Sequence, residues 1–280
     1  MPRLQGLAVL FAIGACSAGA IAQVQDSPFL EDLTWTEVAA RTAAGITTII
    51  IPAGGIEQSG PAMALGKHDA RARFLAGRIA RRLGNALVAP VISYVPEGEI
   101  EPPTQHMRFP GTISIPSSVF RATIQSAAMS LKLHGFKTIV FVGDHGGYQN
   151  DLKLSAEELN RRWAATDARA LFVPQYYLAT QGVYVADLRR KGFGQAEIGT
   201  HAGLADTSLT MAIAPAMVRP GYLRAGQHLT AAFGVYGDPR RSTAAIGQVG
   251  VEEIVSQTVA AVQADRRRRL SIQRRSGASR

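Results

Sequence analysis

Three features of the 280-residue sequence predict an α/β fold of three layers, α/β/α, with a mainly parallel central sheet. Short β-branched runs alternate with stretches of helical period. The runs are apolar throughout instead of alternating with polar residues, as befits strands covered on both faces. Two of them lead into glycine-rich loops carrying carboxylate and imidazole groups, where ligand sites form in such sheets.

In order along the chain, residues 29–45 place Leu30, Leu33 and Val38 at roughly helical spacing and close on Gly45, a suitable residue to end a helix. The run ITTIII (46–51) predicts a buried strand stopped by Pro52. Residues 69–84 set Phe74, Leu75, Ile79 and Leu83 at helical spacing with arginines opposite, and ALVAPVISY (86–94) predicts a second strand. The Pro- and Gly-rich segment 95–116 predicts a long loop, which in a compact domain is usually functional. A helix from Ser117 to Gly135 precedes KTIVFVGDHGG (137–147), a third strand running into the second glycine-rich loop. A helix over 148–165, a fourth strand over 168–177, a helix from 204 that runs until Pro215, and a closing amphipathic helix over 247–269 complete the pattern. Without an internal repeat or a low-complexity linker, residues 23–265 read as one domain.

The ends read differently. Arg3, an apolar run from Leu7 to Ala15 and the A-x-A site before Gln23 predict a signal peptide over residues 1–22, and hence a periplasmic or secreted protein. That run is too short to span a membrane. Cys16 sits in IGAC, an imperfect lipoprotein box, so soluble export is the favoured reading. Much of the formal charge of +9 lies at the C-terminus, where residues 265–280 carry seven arginines against one aspartate. Residues 266–280 therefore read as a basic disordered tail. The folded part lacks a basic face interleaved with aromatics, so nucleic acid is not an expected partner. A single cysteine excludes a disulfide framework and a thiolate zinc site, and leaves His, Asp and Glu to hold any metal.

Glu57 follows the first strand and His145 the third, so both emerge at one sheet edge if those strands run parallel. Their donor atoms suit zinc, manganese or iron. IGTHAGLADTSL (198–209) adds His201 just before a helix and Asp206 in its first turn. GDHGG lacks the glycine spacing of a dinucleotide fingerprint. No GxSxG elbow is present, which makes Ser59 a poor nucleophile.

The segments GGIEQSGPAMALGKHDAR, HMRFPGTISI, VGDHGGYQND and THAGLADTSL resemble, in order, the signature blocks of the creatininase (creatinine amidohydrolase) family, over roughly residues 31–265. The resemblance implies a creatininase-like fold and a divalent metal, zinc or manganese, with one or two ions per chain. It also implies hydrolysis of a cyclic or linear non-peptide amide by a metal-bound hydroxide, and a homo-oligomer, often a hexamer. Carried over residue by residue, Glu57 matches the glutamate ligand, and His145 the histidine ligand, with Asp144 where the family has asparagine. The family's aspartate falls on His68, with Asp69 one residue later, and either can serve. Asp206 falls on an acidic position, and His201 on a histidine that would shuttle the proton to the leaving nitrogen. The expected metal set is thus Glu57, His68 or Asp69, His145 and Asp206, with His106, Tyr148 and Ser59 on the substrate side. Ser59 and Leu204 stand where relatives usually carry ligands, which motivates an alternative: a non-catalytic periplasmic ligand-binding protein on the same fold. Glu97, Glu99 and Glu101 read as a solvated acidic loop.

Overall fold

The computed structural model describes residues 26–226 and 228–277; the expected signal peptide, 1–22, lies outside them. The described residues form a four-stranded sheet of β1 (Thr48–Ala53), β2 (Ala86–Val88), β3 (Thr138–Gly143) and β4 (Arg169–Phe172). The order is β2-β1-β3-β4 and every pair is parallel. From β1 the chain steps outward to β2 and then returns across to β3. The direction of winding therefore reverses between β1 and β3, the switch point where open parallel sheets bind ligands beyond their carboxyl ends.

The longer helices are α1 (Trp35–Ala43), α2 (Lys67–Leu83), α3 (Ser117–Leu133) and α4 (Gln149–Arg162). They are followed by α5 (Gln175–Gln181), α6 (Val183–Arg190), α7 (Gln195–Ile198), α8 (Leu204–Ile213), α9 (Pro220–Ala225) and α10 (Ala244–Gly277). Successive strand residues point to opposite faces. Ile49, Ile51, Ile139 and Phe141 accordingly pack with Phe120 and Ile124 of α3 and Leu152 of α4. Ile50, Val140 and Val142 pack on the other side with Leu75 and Ile79 of α2 and Val251 and Ile254 of α10. These two cores make the three layers.

Several boundaries differ from expectation. β1 does not stop at Pro52: that residue pairs with Val142, and its carbonyl accepts from Ile92 N–H at 2.9 Å. β2 ends at Val88, just ahead of Pro90, leaving an isolated bridge between Ala53 and Ile92. β4 ends at Phe172, since Pro174 caps the start of α5, which takes up residues expected as strand. α5, α6, α7 and α9 were not foreseen by periodicity. Residues 266–277, expected as a disordered tail, continue α10 in one run. No described helix is long and apolar enough to cross a membrane.

Candidate metal centre

The strands β1, β2 and β3 each deliver one part of the site. Past β1, Gly54 and Gly55 bring the chain so close to its neighbours that a Cβ would overlap Asp69 at the first and the Glu97 carboxylate at the second. Gly55 also has φ 143°, open to glycine alone. Glu57 follows, wholly buried. Past β2, the loop carries Glu97, also buried, and pins it through Ser114, whose hydroxyl accepts the Glu97 N–H at 3.0 Å and donates to the Gly98 carbonyl at 2.7 Å. Past β3 come Asp144 and His145, with the Asp144 N–H on the Ala53 carbonyl at 3.1 Å. The first turns of α2 add Lys67, His68 and Arg71, all buried. His106 and His201 arrive on loops where a non-glycine neighbour is left-handed, Gln105 at φ 46° and Ala202 at φ 52°. Each such residue costs about 1–2 kcal/mol; at Ala202 the N–H is held by Asp206 Oδ2 at 2.9 Å.

Glu57 is the hub. Its Oε2 lies 3.0 Å from His145 Nε2 and 3.3 Å from His68 Nε2, and its Oε1 3.2 Å from His201 Nδ1. Yet among the described residues neither oxygen has a properly aligned hydrogen bond, and neither does His68 Nε2 nor the Glu97 carboxylate. The tautomers explain why. His68 Nδ1 sits 2.6 Å from Asp144 Oδ2, and His201 Nε2 2.9 Å from the Gln58 carbonyl, acceptors that require an N–H. In a neutral His201 ring Nδ1 is then a bare lone pair facing a carboxylate, as is His68 Nε2 once that ring gives up its second proton. Buried acceptors facing acceptors need a cation between them. Donor atoms of Glu57, Glu97, His106 and His145, one from each, lie within 4.8 Å of one another and could hold a metal ion. This set fits a divalent cation by its chemistry: imidazole and carboxylate, buried, with unsatisfied oxygens.

Charge around the hub is sorted by pairing. Burial pushes the Glu57 carboxyl up, but His68, Lys67 and His145 outweigh it and hold it well below the usual range. Glu97 goes the other way: burial, then the neighbouring Glu57, push it up to about 10. Burial lowers His145 to about 3 and, together with Lys67, lowers His201 to about 4, so both rings are neutral and free to donate lone pairs. Burial also lowers His106. For His68, burial and Lys67 are outweighed by Glu57 and Asp144, and its basicity rises. Asp206, raised by burial, is brought well below its usual range by Lys67 and Arg71. Arg71 spans two carboxylates, reaching Asp144 Oδ2 at 3.1 Å and Asp206 Oδ1 at 2.5 Å.

Of the residues expected as ligands, Glu57 and His145 fall in the metal-capable set, and His68 stands beside it with Nε2 toward Glu57. Asp69 does not join them: its Oδ1 accepts the Gly55 N–H at 2.9 Å, fixing the loop instead. Asp206 is neutralised by Lys67 and Arg71 and serves as their anchor. Tyr148, expected to touch substrate, is completely buried, and its hydroxyl lies 2.9 and 2.6 Å from the Ala53 and Gly54 carbonyls. Ser59 is buried as well and does not line the cavity beside His106, His145 and His201. His106, expected on the substrate side, lines that cavity and belongs to the metal-capable set. Glu97 was misread as a solvated acid. The signal that could have found it is its place in the loop after a parallel strand, at the same edge as Glu57 and His145. Lys67 and Arg71 were not singled out at all.

The cavity, about 350 Å³, is lined by Lys67, His106, His145, His201, Tyr177 and Tyr184 among others. Its size suits a small ligand.

Fold and centre together define an α/β protein with a carboxylate–imidazole metal pocket at the switch point of a parallel sheet. A family model described as creatininase, creatinine amidohydrolase, matches residues 31–262, and the chain belongs to that family. It is 29% identical over 228 residues to creatinine amidohydrolase of Pseudomonas putida, covering 78% of this chain and 85% of that one. It is 28% identical over 232 residues to a mycofactocin precursor peptide peptidase of Mycolicibacterium smegmatis, covering 75% and 82%. A crystal structure of creatininase superposes with a TM-score of 0.69 at 24% identity, covering 86% of this chain and 98% of that one. Other creatininase structures with TM-scores of 0.68 include a manganese form and a form described as Zn–Zn type, each at 24% identity and covering 86% of this chain.

Proposed function

We propose that this chain is an exported, metal-dependent hydrolase of an amide C–N bond in a small non-peptide molecule. The observation that carries it is the buried Glu57 carboxylate faced by imidazole lone pairs without a hydrogen bond. Glu57, Glu97, His106 and His145 would hold the ion, with His68 close by. A divalent ion there supplies Lewis acidity toward an amide carbonyl and a water made acidic near neutral pH. The chain supplies the rest. The Gln58 carbonyl holds His201 Nε2–H, leaving Nδ1 to accept a proton and pass it to the leaving nitrogen. Tyr177 and Tyr184, which also line the cavity, add ring surface beside the reacting group. The apolar start of the sequence supports export, and family membership supports a homo-oligomer. Trp35 and Leu133, 82% and 81% exposed, are large apolar side chains that assembly would cover.

The test is metal content and turnover of protein purified without added metal. Bound zinc, manganese or iron, lost together with amide hydrolysis in His145→Ala, is the expected result. A protein that binds no metal even on reconstitution, yet binds small amides intact, overturns the hydrolase in favour of the ligand-binding alternative that Ser59 and Leu204 suggest. Short peptides belong in the substrate screen. Their cleavage with small amides untouched would overturn the small-molecule assignment. Sedimentation gives the assembly state.

A further inference from the structure

Lys67 is an unusual residue to find at the centre of such a site. Its ammonium is 1% exposed, 2.6 Å from Asp206 Oδ2 and 3.8 Å from Glu57 Oε1. A buried ammonium is tolerated only where carboxylates compensate it, and here two do. Its closer partner, Asp206, does not belong to the metal-capable set.

We propose that Lys67 is a built-in second cation: its ammonium occupies the Glu57–Asp206 edge, and the centre takes a single divalent ion at the Glu57–Glu97 edge. This inference rests on the proposed metal hydrolase. Charge balance supports it. The carboxylates gathered around the hub are Glu57, Glu97, Asp144 and Asp206, and Arg71 and Lys67 pair with the last two. With neutral imidazoles, and with Glu97 giving up its proton as the ion binds, two negative charges remain, which one divalent ion neutralises. A second ion on Glu57 Oε1 would sit against the ammonium and meet strong repulsion in a buried setting. Leu204 offers no ligand either: it packs, wholly buried, against Tyr184, Leu188 and Ile198. Because Lys67 also lines the cavity, the ammonium offers a substrate oxygen a fixed positive charge that no chelator can remove.

The experiment is titration of the chelator-treated full chain with Mn(II), read by calorimetry for stoichiometry and by electron paramagnetic resonance for coupling between ions. The wild type is expected to saturate at one Mn(II) per chain with an uncoupled spectrum, and Lys67→Arg, which keeps the charge, likewise. Lys67→Ala leaves Glu57 Oε1, Asp206 Oδ2 and His201 Nδ1 facing a vacated space. It is expected to take a second Mn(II) and show a coupled pair. Two ions in the wild type, or one in a folded Lys67→Ala, overturn the proposal. The wild-type stoichiometry decides it even if Lys67→Ala fails to fold. A wild type that takes up no Mn(II) instead overturns the metal-hydrolase reading on which it stands.

Discussion

Glu97→Gln exchanges a carboxylate for a neutral amide of nearly the same shape, and its effects on stability and on metal binding should oppose one another. In the ion-free protein, burial and then Glu57 raise Glu97 from its ordinary 4.5 to about 10. Between those values the folded state keeps a proton that the unfolded chain has released. Stability therefore falls as pH rises through that window, by up to about 1.4 kcal/mol per pH unit, and the accumulated cost at pH 7 is about 3 kcal/mol. Glutamine carries no such cost. Urea unfolding of chelator-treated protein from pH 5 to pH 9 should show Glu97→Gln matching the wild type within roughly 1 kcal/mol at pH 5 and exceeding it by about 3 kcal/mol at pH 7. The gap should widen further by pH 9. With an ion present the ranking reverses, because the variant lacks a ligand and its Mn(II) affinity should fall roughly tenfold or more. Wild-type binding should release a proton near pH 7, visible as a buffer-dependent enthalpy. A variant no more stable than the wild type at pH 8, or one with unchanged Mn(II) affinity, would refute this reasoning.

Other perturbations separate the scaffold from the centre. Tyr148→Phe removes a hydroxyl that bonds the Ala53 and Gly54 carbonyls and takes the His145 N–H at 3.1 Å. Thermal unfolding should show a loss of about 1–3 kcal/mol, with metal content retained. Gly247→Ala places a Cβ into the Ser208 carbonyl where α10 crosses α8. It should cost about 1–3 kcal/mol or more in urea unfolding without altering metal stoichiometry. Stripping the ion should lower the melting temperature. Saturation at a hundred times the dissociation constant is worth about 2.7 kcal/mol, and a melting point indifferent to chelation would count against the site.

How much of this was written in the chain can be read residue by residue. Apolar runs such as ITTIII and TIVFV declare buried strands, and the loops that follow them declared Glu57 and His145 as neighbours although 88 positions separate them. Of His68 and Asp69, adjacent in one dimension, helix geometry turns only one toward Glu57. Adjacent residues on α2 point about 100° apart, so His68 faces Glu57 while Asp69 turns to the Gly55 N–H. Glu97 was hidden because its burial depends on Ser114, 17 residues on, folding over its loop. Lys67 and Arg71 were hidden because Asp206, more than 130 positions later, is what draws them inside. Tyr148 looked like a pocket residue beside His145, yet its hydroxyl is turned inward, onto the backbone carbonyls of Ala53 and Gly54. Helices α5 and α6, in QYYLATQGVYVADLRR, carry too mixed a pattern for period alone to find them.

Arg71 has a mechanical meaning beyond charge. One guanidinium grips Asp144, next to His145, and Asp206, whose other oxygen holds both Lys67 and the Ala202 amide beside His201. Two loops far apart in sequence are thereby bolted to the first turns of α2 and move as one block with it. Sliding either imidazole alone would mean tearing a doubly engaged cation out of a dry setting. Tyr177 and Tyr184, on α5 and α6, line the same cavity without being part of that clamp. Selectivity can be retuned at those two side chains while the ion-holding block keeps its dimensions.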